Sequence, residues 1–135
     1  MAENIDSFVI DASFILAFLL PDEKTSKVDK IFSEYKDGKI KLLSTELLPF
    51  EVLNGLKSAL LRKRIKRKEA LVLVNAFVNL DITLEKIDIV EVFDIRAKKL
   101  SFYDASYLYL SKINRFKLLS LDKYLIKLSS GNYHN

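Results

Sequence analysis

The sequence has no cysteine, no tryptophan, one histidine, two prolines and three glycines in 135 residues. Without cysteine there can be no disulfide, no thiolate nucleophile and no cysteine-ligated zinc or iron–sulfur centre. A single histidine, His134, leaves Ser-His-Asp and Cys-His catalysis and multi-histidine metal sites without their parts. Gly38, Gly55 and Gly131 are too far apart for a GxGxxG or GxxxxGK[ST] phosphate loop. The longest apolar run, Phe14–Leu20, falls far short of the roughly 18–20 residues that cross a bilayer. The opening MAENIDSF has no basic stretch of the kind that starts a secretory signal. The chain is therefore expected to be cytoplasmic, without a membrane partner. What is left for chemistry is carboxylates, hydroxyls and an excess of lysine and arginine.

Half of the residues are hydrophobic and 30% are charged, which excludes a disordered or fibrous chain and suits one globular domain over residues 1–135. The net charge of +4 hides an asymmetry. Residues 57–68 (KSALLRKRIKRK) hold Lys57, Arg62, Lys63, Arg64, Lys66, Arg67 and Lys68 and no acid, so the remainder is acidic by three. Such a run suits a polyanion or an acidic partner, or simply a solvated helix–helix connection.

Hydrophobic patterning predicts strands at Ser7–Ile10, Ile40–Leu43, Ile82–Leu84 and Lys117–Leu121. Between them it predicts helices at Ala12–Leu20, stopped by Pro21, at Asp22–Tyr35, from Ser44 or Thr45 as cap to about Lys63, and at Ile65–Leu80. Further helices are expected at Ile87–Lys98, Ser101–Ile113 and Asp122–Leu128, with a frayed tail after residue 129. In the fourth helix Leu71, Val74, Phe77 and Val78 are expected to face inward. Strands alternating with helices imply a short, mainly parallel sheet with helices on both faces.

In such sheets sites form beyond the C-terminal ends of the strands, where strand order reverses. Asp11 follows the first strand, Glu51 and Asp104 fall in the first turns of helices, and Asp122 follows the last strand. All four can meet on one edge. Each also has an ordinary use at a helix start: Asp11 and Asp122 as caps, Ser101-x-x-Asp104 as a capping box, Glu51 as a favourable dipole charge. Carboxylates forced together repel, and a hard divalent cation such as Mg²⁺ or Mn²⁺ relieves the conflict. Carboxylates, metal and a basic patch suit metal-assisted phosphodiester hydrolysis, which needs no histidine base.

The segments VIDASFILAFLLP (9–21), STELLPFEVLNGL (44–56), LSFYDASYLYLSK (100–112) and LLSLDKYL (118–125) resemble the PIN-domain ribonucleases, in particular the small VapC-type toxins of toxin–antitoxin pairs. The resemblance spans nearly the whole chain, in order. It implies a three-layer α/β/α fold with four or five strands and a Mg²⁺- or Mn²⁺-dependent endoribonuclease that cleaves RNA. Asp11, Glu51, Asp104 and Asp122 match the family's metal-holding acids. Ser13, Asn54 and Ser120 match polar positions beside them. An antitoxin partner and a homodimer are also implied, and in the resembled toxins helices near 57–68 help clamp the antitoxin. Ser120 stands where threonine is commoner, and Pro49 is unusual in its motif and threatens to shift the helix start that carries Glu51. Phe102 and Tyr103 flank Asp104 and could stack a base, although core packing suits Phe102; Tyr107 and Tyr109 read as core or interface residues. Two rival readings are a catalytically silent module binding RNA or protein on the same fold, and a phosphoacceptor domain using Asp11. The second lacks the paired aspartates and placed lysine it needs.

Overall fold

The computed structural model describes residues 5–131, so the first four and the last four positions, His134 among them, lie outside it. The elements run β1 (Asp6–Ile10), α1 (Ala12–Leu19), α2 (Ser26–Lys36), β2 (Ile40–Thr45), α3 (Leu48–Leu61), α4 (Arg67–Leu80), β3 (Thr83–Glu85), α5 (Ile89–Asp94), α6 (Phe102–Asn114), β4 (Lys117–Leu119) and α7 (Lys123–Ser130). The four strands are parallel, in the order β3-β2-β1-β4. Val9 of β1 stands opposite Leu43 of β2 on one side and Leu118 of β4 on the other.

Chain direction fixes the layers. The crossovers β1→β2 and β2→β3 advance the same way across the sheet, whereas β3→β4 steps back past β1. Right-handed crossovers then put α1–α4 on one face and α5 and α6 on the other, and α7, after the last strand, packs on α6. The packing agrees: α1 touches α2, α3 and α4, α3 touches α4, and α6 touches β1, β2, β4, α5 and α7. This is a three-layer α/β/α arrangement. Its core takes Val9 and Ile10 from β1, Phe14 and Ile15 from α1, Leu48 and Val52 from α3, Leu108 from α6 and Leu125 from α7, all essentially buried. Among the described residues no helix is long and apolar enough to cross a membrane.

Gly55 sets how closely α1 and α3 approach, because a Cβ there would clash with Leu16 Cδ1. Close, roughly parallel packing of these helices carries Asp11 and Glu51 to the same edge. Pro49 lies in the first turn of α3, which leaves Glu51 in that turn; the proline fits where the amide would be unpaired anyway.

Several boundaries depart from the sequence reading. Ser44 and Thr45 are buried strand residues, because their hydroxyls find partners there: Ser44 Oγ donates to Ile10 O of β1 at 2.6 Å and Thr45 Oγ1 accepts from Leu47 N, in the turn that follows, at 3.1 Å. The α2 helix starts at Ser26, capped by Thr25, whose Oγ1 accepts from Val28 N. Asp22 and Glu23 instead form a turn held by Arg64. The third and fourth helices end at Leu61 and begin at Arg67, since Arg62–Lys66 make the turn between them. β3 is shifted one residue along, to Thr83–Glu85. α5 stops at Asp94, and the backbone from 95 to 101 is pinned instead by Tyr124 Oη, which donates to Lys98 O. β4 ends at Leu119, where the backbone leaves the ladder for the turn before α7. In α4, Ala70 and Phe77 are buried while Leu71 and Val78 are exposed.

Candidate active site

The reversal of strand order lies between β1 and β4. Asp11 leaves β1 there and caps α1, its Oδ1 accepting from Phe14 N at 3.1 Å. Asp122 lies three residues past β4 and caps α7, its Oδ1 accepting from Tyr124 N at 2.9 Å and Leu125 N at 3.2 Å. Glu51 and Asp104 occupy the first turns of α3 and α6. Ser101 rather than Asp104 caps α6, its Oγ accepting from Asp104 N. Four helix N-termini thus point at one sheet edge. Their dipoles favour negative charge at that edge, whichever acid does the capping.

Two serines weld the two loops together. Ser13 Oγ donates to Asp11 Oδ1 at 2.7 Å, and Ser120 Oγ donates to Asp11 Oδ2. Each hydroxyl proton is thereby used, leaving the oxygens to accept. Ser13 Oγ accepts from Leu121 N at 2.9 Å and Ser120 Oγ from Asp122 N at 3.0 Å. Both serines therefore orient Asp11 and fix the turn that presents Asp122.

Tyr107 is wholly buried and donates from Oη to Glu51 Oε1 at 2.7 Å. The sequence reading placed it in the core, correctly for its ring, and missed its hydroxyl. A signal was present: Tyr107 lies three residues after Asp104, on the same face of α6, and a buried phenol requires a partner. Burial pushes the Tyr107 hydroxyl far up, and the Glu51 charge pushes it further, so it remains a donor at any ordinary pH.

The electrostatics tie the acids together. Burial pushes Asp11 above the usual carboxylate range; its hydrogen bonds oppose this, and the Asp104 charge adds to it. Burial also raises Glu51, with Tyr107 opposing and the charges of Asp104 and Asp11 adding. Asp104 is raised by burial first, then by the Asp122 charge. Among the described residues no lysine or arginine pairs with any of the four. These are oxygen donors that repel one another and have no cation from the protein.

That donor chemistry fits a hard divalent ion. Among the described residues no three acids converge closely enough to hold an ion by themselves. The fit is therefore to an ion that keeps several waters and takes substrate oxygens, as Mg²⁺ does.

The remaining candidates are placed differently. Asn54 is exposed, one turn beyond Glu51, and makes no hydrogen bond to an acid of the site. Phe102 and Tyr103 are partly exposed at the start of α6. The basic run lies at the other end of α3: Lys57, Arg62, Lys63, Lys66, Arg67 and Lys68 are exposed, and Arg64 is bound to Asp22 and Glu23. At about 1.5 Å per residue, Arg62 is about 16 Å from Glu51 along the helix.

Two solved structures share the fold. PAE2754 from Pyrobaculum aerophilum superposes with a TM-score of 0.70 at 22% identity, over 90% of this chain and 78% of that one. VapC20 of Mycobacterium tuberculosis, described as a sarcin-ricin loop cleaving toxin, superposes with a TM-score of 0.61 at 12% identity, over 94% and 96%. Comparison with curated protein sequences gives no match. The sequence pattern of the PIN domain matches residues 8–130, taking in both strands that flank the acidic edge and all four acids, and by that match this chain belongs to the PIN domain family.

Proposed function

We propose that this protein is a divalent-metal-dependent endoribonuclease and the toxin of a toxin–antitoxin pair. One observation carries the nuclease reading: four carboxylates from four elements lie along the edge where strand order reverses, with Asp11, Glu51 and Asp104 raised by burial and by the charges of neighbouring acids and no protein cation paired with them among the described residues. Family membership and the likeness to a toxin described as sarcin-ricin loop cleaving support it.

Asp11, Glu51, Asp104 and Asp122 would hold Mg²⁺ or Mn²⁺. When bound, such an ion supplies Lewis-acid activation of water and neutralises charge on the scissile phosphate. The chain's own residues do the positioning. Ser13 and Ser120 lock the Asp11 carboxylate in one orientation. Tyr107 fixes one oxygen of Glu51, so the other is the one directed to a ligand. The converging helix N-termini favour phosphate as well as carboxylate. Phe102 and Tyr103 offer rings beside Asp104 for an unpaired base.

An antitoxin and a second copy of the chain belong to the same reading. Exposed apolar side chains give them a surface: Phe50 is 66% exposed and Phe93 82%, with Ile89 and Val90 beside Phe93. Large apolar side chains left exposed in this way suit protein contact.

The test is cleavage of a labelled structured RNA pool by purified protein with Mg²⁺, with Mn²⁺ and with EDTA, beside Asp104→Asn. Metal-dependent cuts that vanish in the variant are expected. Full activity in Asp104→Asn would overturn the assignment, and RNA binding without cuts in any condition would favour a silent binding module.

A further inference from the structure

A cavity of about 410 Å³ opens between the end of α6, the start of β4 and the end of α7. It lies at the pole opposite the carboxylates, because β4 begins beside it and runs toward them. We infer that this cavity is a binding site for a free mononucleotide, a small ligand that carries a phosphate, sugar hydroxyls and a flat ring. The site is independent of the ribonuclease reading, since none of the four acids lines it.

Three sets of groups in the cavity lead there. First, Lys112, Arg115 and Lys117 line it, and no acid does. All three are exposed, and among the described residues Arg115 and Lys117 pair with no acid. Asp6, two residues before the β1 partner of Lys117, is also outside the lining. A lysine near a helix C-terminus serves the dipole, and a lysine on an edge strand deters pairing. Each use explains one cation, and neither gathers three around one cavity. The carbonyls at the end of α6 are also met within the backbone and by an amide: Arg115 N donates to Lys112 O, Phe116 N to Ser111 O and Asn114 Nδ2 to Leu110 O. An arginine fork beside two ammonium groups is the chemistry that grips a phosphate.

Second, two hydroxyls in the lining are left as acceptors. Ser111 Oγ donates to Phe116 O at 2.6 Å, and Ser129 Oγ donates to Ile126 O at 2.7 Å. Their protons are thereby used, so toward a ligand each oxygen can only accept. The hydroxyls of a ribose, or the amino group of a base, supply the matching donors. The cations can only donate, so phosphate and sugar are sorted to different groups of the cavity.

Third, the cavity has an apolar wall and the right size. Leu108, essentially buried, and Phe116, half-buried, give a flat ring something to pack against. The volume falls in the range of about 300–1,000 Å³ that small-ligand pockets occupy, and a bare phosphate would leave most of it unfilled. The helix α6 separates this site from the acids. Asp104 in its first turn and Arg115 at its C-terminal end are about 16 Å apart along the axis, at about 1.5 Å per residue. Either site can therefore be probed without the other.

The experiment is isothermal titration calorimetry with the full chain in EDTA. The probes are the four ribonucleoside 5′-monophosphates, their parent nucleosides, inorganic phosphate and a 5′-phosphorylated tetranucleotide. At least one monophosphate should bind at one site per chain, with its nucleoside and inorganic phosphate roughly tenfold or more weaker. The variant R115G/K117Q removes two of the cations. Arg115 has a left-handed φ of 58°, where glycine is free of strain, so the variant should melt no lower than wild type without nucleotide. Its nucleotide affinity should fall roughly tenfold or more, and Lys117→Gln alone should give a smaller loss. Asp104→Asn should bind nucleotide as wild type does, which separates this cavity from the carboxylate edge. Absence of binding by all four monophosphates, or equal affinity in R115G/K117Q and wild type, would overturn the inference. So would inorganic phosphate binding as tightly as any nucleotide, which would leave only a general anion patch. Tighter binding of the tetranucleotide than of every mononucleotide would overturn it in favour of an RNA end.

Discussion

Replacing Tyr107 by phenylalanine isolates one hydrogen bond at the carboxylate edge. The ring is wholly buried, so phenylalanine keeps its packing and removes only the hydroxyl at 2.7 Å from Glu51 Oε1. A hydrogen bond to a charged group contributes about 1.5–3 kcal/mol, and one to a neutral group about 0.5–1.5. Glu51 is only half-buried, so water recovers part of the loss and the lower ends apply: about 1.5 kcal/mol with the carboxylate ionised, about 0.5 with it protonated. At an m-value of about 1.5 kcal/mol/M, the urea midpoint should fall about 1 M at pH 8 in EDTA and about 0.3 M at low pH. Glu51 titrates above its ordinary value because burial raises it, while Tyr107 opposes that rise. Removing Tyr107 raises it further. The variant's deficit is therefore complete well above the raised value and shrinks as the pH falls through it. Urea titrations of both proteins across this range give the difference directly. A deficit of the same size at every pH, or none at pH 8, would show that the hydroxyl does not serve the Glu51 carboxylate.

Other perturbations have equally definite outcomes. Asp104→Asn should abolish metal-dependent cleavage and leave the circular dichroism unchanged. Because burial and Asp122 raise the Asp104 carboxyl, its ionised form opposes folding, and wild type loses stability as pH rises through that titration. The asparagine variant should thus melt higher than wild type at pH 8 in EDTA, the gain fading in acid, and its melting temperature should respond less to Mg²⁺. Ser120→Ala removes a donor from buried Asp11 and an acceptor from Asp122 N; it should cost about 1–3 kcal/mol in urea unfolding, and an unchanged midpoint would refute the bracing role. Lys63 has a left-handed φ of 61° at the end of α3, where Lys63 N donates to Leu60 O and Arg64 N to Ala59 O. Glycine is free of strain there, so Lys63→Gly should raise stability by about 1 kcal/mol, whereas a loss would mean the lysine side chain holds the turn.

The topology was legible because each buried strand of this sheet is a short apolar run followed by a polar residue, and alternation with helices leaves few arrangements. Asp11 stood out for that reason. Ser44 and Thr45 misled because a hydroxyl before a helix reads as a cap, and only the folded sheet shows Ile10 O waiting for Ser44 Oγ. The α4 face misled for the opposite reason. In ALVLVNAFVNL the apolar residues run almost all the way round, so periodicity cannot choose between Phe77, which is buried, and Leu71 or Val78, which are not. The serines beside Asp11 were singled out by resemblance; the bonds from Leu121 N to Ser13 Oγ and from Ser120 Oγ to Asp11 Oδ2 join positions more than a hundred residues apart, and no local pattern encodes them.

Strand order also imposes a timetable. β1 sits between β2 and β4, so the first strand to leave the ribosome waits for the last before its second edge is paired. A nascent chain that has emerged only as far as α6 already carries Asp11, Glu51 and Asp104. It still lacks β4, the hydroxyl of Ser120 that clasps Asp11, and Asp122. On the proposed ribonuclease reading, the carboxylate edge would stay unassembled until β4 and the turn after it have emerged.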